Sequence, residues 1–223
     1  MSQFFQSELQ DLSDRLLTMA SKSELAANTS IRALVERDDD LARLVEETDN
    51  EIDQLELEID EMAIQLLSKA PLARDLRFIT VAMKICTDLE RVGDEATTIA
   101  RRSRDLNQEP QLKDYIDIPR MVGLAMEMMD QALKAFVNGD AASARAVVPK
   151  DKTVDQINKQ LHRELSSYMV ENPKNISRCL NLMVISKSIE RIADHAKNIA
   201  ELVVYLCDAE DIRHMGNLPT SKQ

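Results

Sequence analysis

Apolar residues recur along this chain at alternating spacings of four and three. Ile85, Leu89, Val92, Ala96 and Ile99 form one stripe, and Ile185, Ile189, Ile192, Ala196 and Ile199 repeat it. A third runs through Ile52, Leu55, Ile59, Met62 and Leu66. This is the period of a helix with one buried face. Residues 2–70 contain neither Gly nor Pro, and residues 72–109 contain only Gly93. Few folds other than long helices tolerate that. Helix-breaking residues fall at Asp38-Asp39-Asp40, Pro71, 108–119, Asn138-Gly139-Asp140 and Asn172-Pro173. They predict six helices, at 3–37, 40–69, 73–105, 118–138, 141–171 and 174–209, with Pro149 placed to kink the fifth. A 32-residue helix is roughly 48 Å long, and helices of that length pack side by side as a bundle.

The chain repeats itself. Moving by 102 residues aligns Ala33 with Ala135, Asp38 with Asp140, Arg43 with Arg145, Asp49 with Asp151, Asp53 with Asp155, Gln54 with Gln156 and Pro71 with Pro173. After the proline the shift becomes 100. MKICTDLERVGDEATTIAR (83–101) then lies over MVISKSIERIADHAKNIAE (183–201), with eight of nineteen positions identical. The expected architecture is all-α, a duplicated three-helix bundle of six long antiparallel helices. Its first repeat spans 1–107, a linker 108–117, and its second repeat 118–223 with a short C-terminal tail.

Composition agrees. Aromatics are 3% of 223 residues, Trp is absent and Gly numbers four. Strands favour aromatic and β-branched residues and their turns need Gly, so a large sheet is excluded. No Gly-rich phosphate loop and no GxSxG occurs. The formal net charge of −11 argues against nucleic acid or an anionic membrane as main partner. No apolar run approaches the ~18 residues of a membrane helix, and the N-terminus lacks the pattern of a signal peptide. Cys86, Cys179 and Cys207 are widely spaced and read as reduced, packed thiols in a reducing cytosol. Most of the eleven Met read as packing.

Candidate chemistry lies in the carboxylates. Each repeat carries two acidic i,i+4 pairs: Asp49/Asp53 with Glu90/Asp94, and Asp151/Asp155 with Glu190/Asp194. Like charges four apart share a helix face and repel. In an antiparallel hairpin, residues at one level have position numbers of constant sum. Residues 53 and 90, and 49 and 94, both sum to 143, centred on the Pro71 break. Residues 155 and 190, and 151 and 194, both sum to 345, centred on Asn172-Pro173. All eight also lie to the same rotational side of their apolar stripes. Four carboxylates per repeat are therefore expected to converge on a partly solvated groove.

Two readings of that convergence stand side by side: cation binding, and structural acidic surface. Oxygen-rich sites suit Mg, Ca, Mn or iron. Zinc, which takes His or Cys, fits less well. Arg91 and Arg191 adjoin the acids but lie about 100° further round their helices at ~100° per residue. His195 points about 140° away from Glu190 on the same count and is not a ligand. His162 and His214 have no matching partners.

DLERVGDEATTIAR and SIERIADHAKNIAE, one in each repeat, resemble the paired signature of the phosphate-uptake regulator family, PhoU. The tail YLCDAEDIRHMGN is similar to the end of close members. The resemblance implies a duplicated three-helix bundle, often a homodimer, with metal clusters in some members on E(D)xxxD motifs. Those motifs fall here on the same eight carboxylates, and the implied ions are Mg, Mn or Fe. It further implies a non-enzymatic, cytoplasmic negative regulator of the phosphate-starvation response and of phosphate uptake. The implied partners are the sensor histidine kinase of the phosphate two-component system and the ATPase subunit of the phosphate-specific ABC transporter. The membrane would be reached only through them. A direct phosphate pocket is not expected. The alternatives are a metal-binding or iron-storage carboxylate bundle and a structural helical scaffold. The first is weakened by the missing ExxH motif, the second by stripes that break every 30 to 35 residues.

Overall fold

Side-chain periodicity is realised as helices packed on their apolar faces. The computed structural model describes residues 3–70 and 72–212. The Pro71 break, His214 and the end of the tail motif lie outside them. Helix α1 spans Gln3–Glu36, α2 Asp39–Leu67, α3 Ala73–Asn107 and α4 Asp117–Asn138. Helix α5 spans Ala141–Val147, α6 Asp151–Glu171 and α7 Ile176–Asp208. No strand occurs among the described residues, and none of their helices is long and apolar enough to cross a membrane.

Helices α1, α2 and α3 pack on one another; α4, α5 and α6 gather on α7. The two halves meet principally along α3 and α7, which carry the two aligned signatures. Each residue of their predicted stripes is fully buried, as are Ile52 and Ile59 of α2. Phe78 of α3 and Phe136 of α4 stack across the halves with ring centroids 5.6 Å apart. Met19, Met121, Met128 and Met129 are buried, and Met62, Met83, Met126, Met169 and Met183 pack against the core.

The helix ends follow local chemistry. Asp38 caps α2, its Oδ1 accepting from the N–H of Asp40 (2.8 Å) and Leu41 (3.2 Å). The preceding Arg37 turns the chain at φ +56°. Its guanidinium donates to the carbonyls of Asn107 (2.8 Å) and Glu109 (2.7 Å), tying the end of α1 to the end of α3. Gly139 ends α4 at φ +61°, a left-handed cap that glycine adopts without strain. Asp140 then caps α5 by accepting from Ser143 N at 3.0 Å.

Two expectations need correction. The fifth helix, read as 141–171, is two helices joined by a 3-10 turn at Val148–Lys150. Pro149 has no N–H to continue the ladder, and its ring clashes with the carbonyl one turn back, so the chain is interrupted there. The three cysteines are not all packed. Cys86 and Cys179 are buried, but Cys207 is exposed on the last turn of α7, where the helix outruns the core. Burial pushes the Cys86 thiol up to about 12, with Glu56, Asp60 and Glu90 adding to the rise. Such a thiol is unreactive.

Candidate functional site

The antiparallel hairpins do what the constant sums require. In the first repeat α2 and α3 bring Asp49, Asp53, Glu90 and Asp94 close enough for their charges to act on one another. In the second, α6 and α7 do the same for Asp151, Asp155, Glu190 and Asp194. Both sets flank the buried stripes rather than interrupt them, because one acid of each pair is one position off a stripe residue: Asp53 beside Ile52, Glu90 beside Leu89, Asp155 beside Val154, Glu190 beside Ile189.

The first cluster is half-open. Asp53 and Asp94 are exposed, Asp49 and Glu90 half-buried. Burial and then the neighbouring Asp53 push the Asp49 carboxyl above the ordinary carboxylate range. Thr97, 4% exposed, turns its hydroxyl toward Asp49 and partly offsets that rise. It does so without full hydrogen-bond geometry, and the hydroxyl has no other partner. Burial and Asp94 likewise raise Glu90, with Arg91 opposing. Arg91 reaches both acids of its helix, Nε lying 3.3 Å from Glu90 Oε2 and Nη1 3.2 Å from Asp94 Oδ2. Its backbone position is 100° round the helix, but the flexible stem brings the guanidinium back. The approach of α2 to α3 is close here. A Cβ on Gly93 would stand 3.0 Å from Asp49 Oδ1 and 3.0 Å from Ile52 Cδ1.

Sequence reasoning missed Glu56. Its carboxyl is raised by burial, then by Asp60 and Asp53, so it belongs to the same charged surface. The signal was available, since Glu56 is three residues past Asp53 and shares its face.

The second cluster is deeper and differently paired. Asp151 is buried at 6% exposure, not part of a solvated groove, because the turn at Pro149 sets it at the start of α6 against α7. Lys197 Nζ donates to Asp151 Oδ2 at 3.2 Å, while Asp151 Oδ1 has no partner. Burial opposes the charge on Lys197, but its hydrogen bond to Asp151 and the charge of that carboxylate outweigh it, and the ammonium is held above the ordinary lysine value. Lys187 is bound to Glu190 on α7. Lys159 Nζ lies 3.9 Å from Asp155 Oδ2. Asp194 is raised by burial, then by Asp151 and Glu190, against the pull of Lys197. Lys187 and Lys197 were also overlooked. Each lies three residues from an acid of the motif, the spacing at which helix neighbours pair.

His195 is turned away from the carboxylates, as expected. A carboxylate offers only acceptors, so its Nδ1 carries the proton and donates to Asp88 Oδ1 of the other repeat at 2.8 Å. Arg191 also crosses the repeats, its Nη1 3.0 Å from Glu95 Oε1. Among the described residues, no three His, Cys, Asp or Glu side chains stand as a ready-made metal-ligand set. The first cluster nonetheless has the donor chemistry of a hard cation, all oxygen and strongly negative. In the second, the ammonium groups of Lys187 and Lys197 occupy Glu190 and Asp151.

The PhoU domain model matches residues 16–103 and again 118–203. The chain belongs to the PhoU family. Its PhoU relatives include the phosphate-specific transport system accessory protein PhoU homolog of Pseudomonas aeruginosa, 43% identical over 217 residues, 96% of this chain and 90% of that protein. The accessory protein PhoU of Escherichia coli K12 is 32% identical over 213 residues, 95% of this chain and 88% of that protein. The crystal structure of PhoU from Pseudomonas aeruginosa superposes with a TM-score of 0.89 at 42% identity, covering 92% of this chain and all of that one, 100%. That of the phosphate transport system regulatory protein PhoU from Streptococcus pneumoniae gives 0.88 at 31% identity, covering 93% and 99%.

Proposed function

We propose that this chain is an accessory protein of a phosphate-specific transport system and acts as a negative regulator of phosphate uptake and of the phosphate-starvation response. In this reading it works in the cytoplasm, as a homodimer and without catalysis. It joins the ATPase subunit of the phosphate-specific ABC transporter to the sensor histidine kinase, and biases the states of both. The observation that carries the reading is membership of the PhoU family in both repeats, with relatives of nearly the same length that bear the accessory-protein name.

The long helix faces suit docking on larger partners. The carboxylate clusters suit charge control rather than chemistry, since they lie beside the core stripes with no nucleophile and base paired among them. Of the eight predicted ligands, Asp49, Asp53, Glu90 and Asp94 would hold a cation such as Mg2+, Mn2+ or iron. A bound ion would supply positive charge to a surface whose carboxylates repel. An iron-storage reading is less favoured. Di-iron bundles aim Glu and ExxH ligands into the core, whereas here the core between the acids is Ile, Leu, Val and Ala.

The direct test is co-purification of this full chain with the kinase and with the transporter ATPase of its host. Retention by both supports the adaptor. Retention by neither, with the chain folded, contradicts it.

A further inference from the structure

The two acidic clusters, aligned by the repeat, differ at the positions that surround them. Thr97 becomes Lys197, Thr87 becomes Lys187, and Glu56 becomes Asn158. Each of these three makes the second cluster less negative, while Arg101, which becomes Glu201, works the other way. The first holds Asp49, Asp53, Glu56, Glu90 and Asp94 against Arg91, with Arg101 acting on Asp49 from further away. The second holds Asp151, Asp155, Glu190 and Asp194 against Lys159, Lys187 and Lys197, with Glu201 acting on Lys197.

Geometry reinforces the count. Lys197 stands where Thr97 stands in the first repeat, and each faces the acid that opens its pair, Asp151 or Asp49. The hydroxyl leaves Asp49 short of counter-charge, whereas the ammonium supplies it. Lys187 takes up Glu190, which is half-buried. Of the acid that opens the second pair, Asp151 Oδ2 is taken by the ammonium of Lys197, and only the buried Oδ1 is left without a partner.

We infer that in the second repeat Lys187 and Lys197 are built-in counter-ions that take the place of a metal, so that divalent cations act on this protein through the first repeat. The inference rests on the cation reading of the family's motifs and departs from it for half of them. An ammonium tethered to α7 competes at very high local concentration, and a free cation must displace it before reaching Asp151 or Glu190.

The test uses the purified full chain, stripped with chelator and titrated with Mn2+, with bound ion read by electron paramagnetic resonance and stability by thermal melting. Asp155→Asn with Asp194→Asn should leave wild-type Mn2+ binding unchanged. Lys187→Thr with Lys197→Thr, which copies the first repeat, should melt lower without metal. It should also gain Mn2+ binding at least about tenfold tighter than any at the second repeat of the wild type. Adding the two Asn substitutions should abolish the gain. If that variant does not fold, Lys197→Gln alone should show the same gain in weaker form. Wild-type binding that falls in the Asp155→Asn, Asp194→Asn variant overturns the inference. So does a folded lysine variant that takes up no more Mn2+ than wild type. A wild type that binds no Mn2+, beside a lysine variant that does, upholds the counter-ions while removing the cation from the proposed function.

Discussion

His195 Nδ1 donates to Asp88 Oδ1 across 2.8 Å, from the signature helix of one repeat to that of the other. The same carboxylate oxygen accepts from Asn198 Nδ2 at 3.3 Å. With Arg191 on Glu95, this ties α3 to α7 along the face where the halves meet. Removing the shared acceptor with Asp88→Ala leaves two donors without a partner. The expected cost is about 1–2 kcal/mol, a fall in melting temperature of roughly 2–6 °C. His195→Gln should leave divalent-cation binding at wild-type level, and a loss of bound Mn2+ in that variant would restore the histidine as a ligand.

Gly93 is where the first cluster meets the core. Ala193 occupies the aligned position in the second repeat. Gly93→Ala gains about 1 kcal/mol of helix propensity, but places its methyl against Asp49 Oδ1 and Ile52 Cδ1. The two effects offset, so stability should stay within about 1 kcal/mol of wild type. The Asp49 carboxylate must move, and Mn2+ binding at the first cluster should weaken. Calorimetry and a metal titration on the same sample separate the two effects.

The pH dependence has a definite sign at the contact of α1 with α4. Burial, and then Asp130, raise the Glu24 carboxyl above its ordinary value, while Lys134 opposes. An acid with a raised folded pKa destabilises the fold when ionised. That penalty is full above the folded value and disappears as pH falls toward the ordinary carboxylate range near 4. Glu24→Gln should therefore melt higher than wild type at pH 7, by about 1–2 °C for a half-exposed group. The difference should close by about pH 4. A gap that widened on acidification would refute the sign.

The cap of α2 gives a local test of folding. Asp38→Ala removes acceptors from the N–H groups of Asp40 and Leu41. The expected loss is about 1 kcal/mol, with helicity by circular dichroism unchanged at 20 °C or so. Asp140→Ala should cost a similar amount at α5, through loss of the contact to Ser143.

Much of this was legible in the sequence. The stripes at Ile85–Ile99 and Ile185–Ile199 foretold the buried seams, because helical period and burial are the same fact seen twice. The constant sums foretold that the acids of each hairpin act on one another, since hairpin register follows from the turn, but not the depth of Asp151. What escaped was set by side-chain length and tertiary depth. Arg91 bends back to Glu90 and Asp94, a reach that backbone angle alone does not reveal. Pro149 was expected to kink the fifth helix but interrupts it, and so buries Asp151. The roles of Lys197 and Lys187 depend on the depth of their acids, Asp151 being buried and Glu190 half-buried, which the sequence pattern does not state. The exposure of Cys207 depends on where the core ends, which periodicity does not state.

The measurement that bears most directly on the regulatory role is a phosphate-starvation reporter in the native host, grown in excess phosphate with this gene deleted. Negative regulation predicts high output in the deletion strain, returned to low output by the intact gene. Output that stays low in the deletion strain, with phosphate uptake unchanged, would contradict the regulatory role.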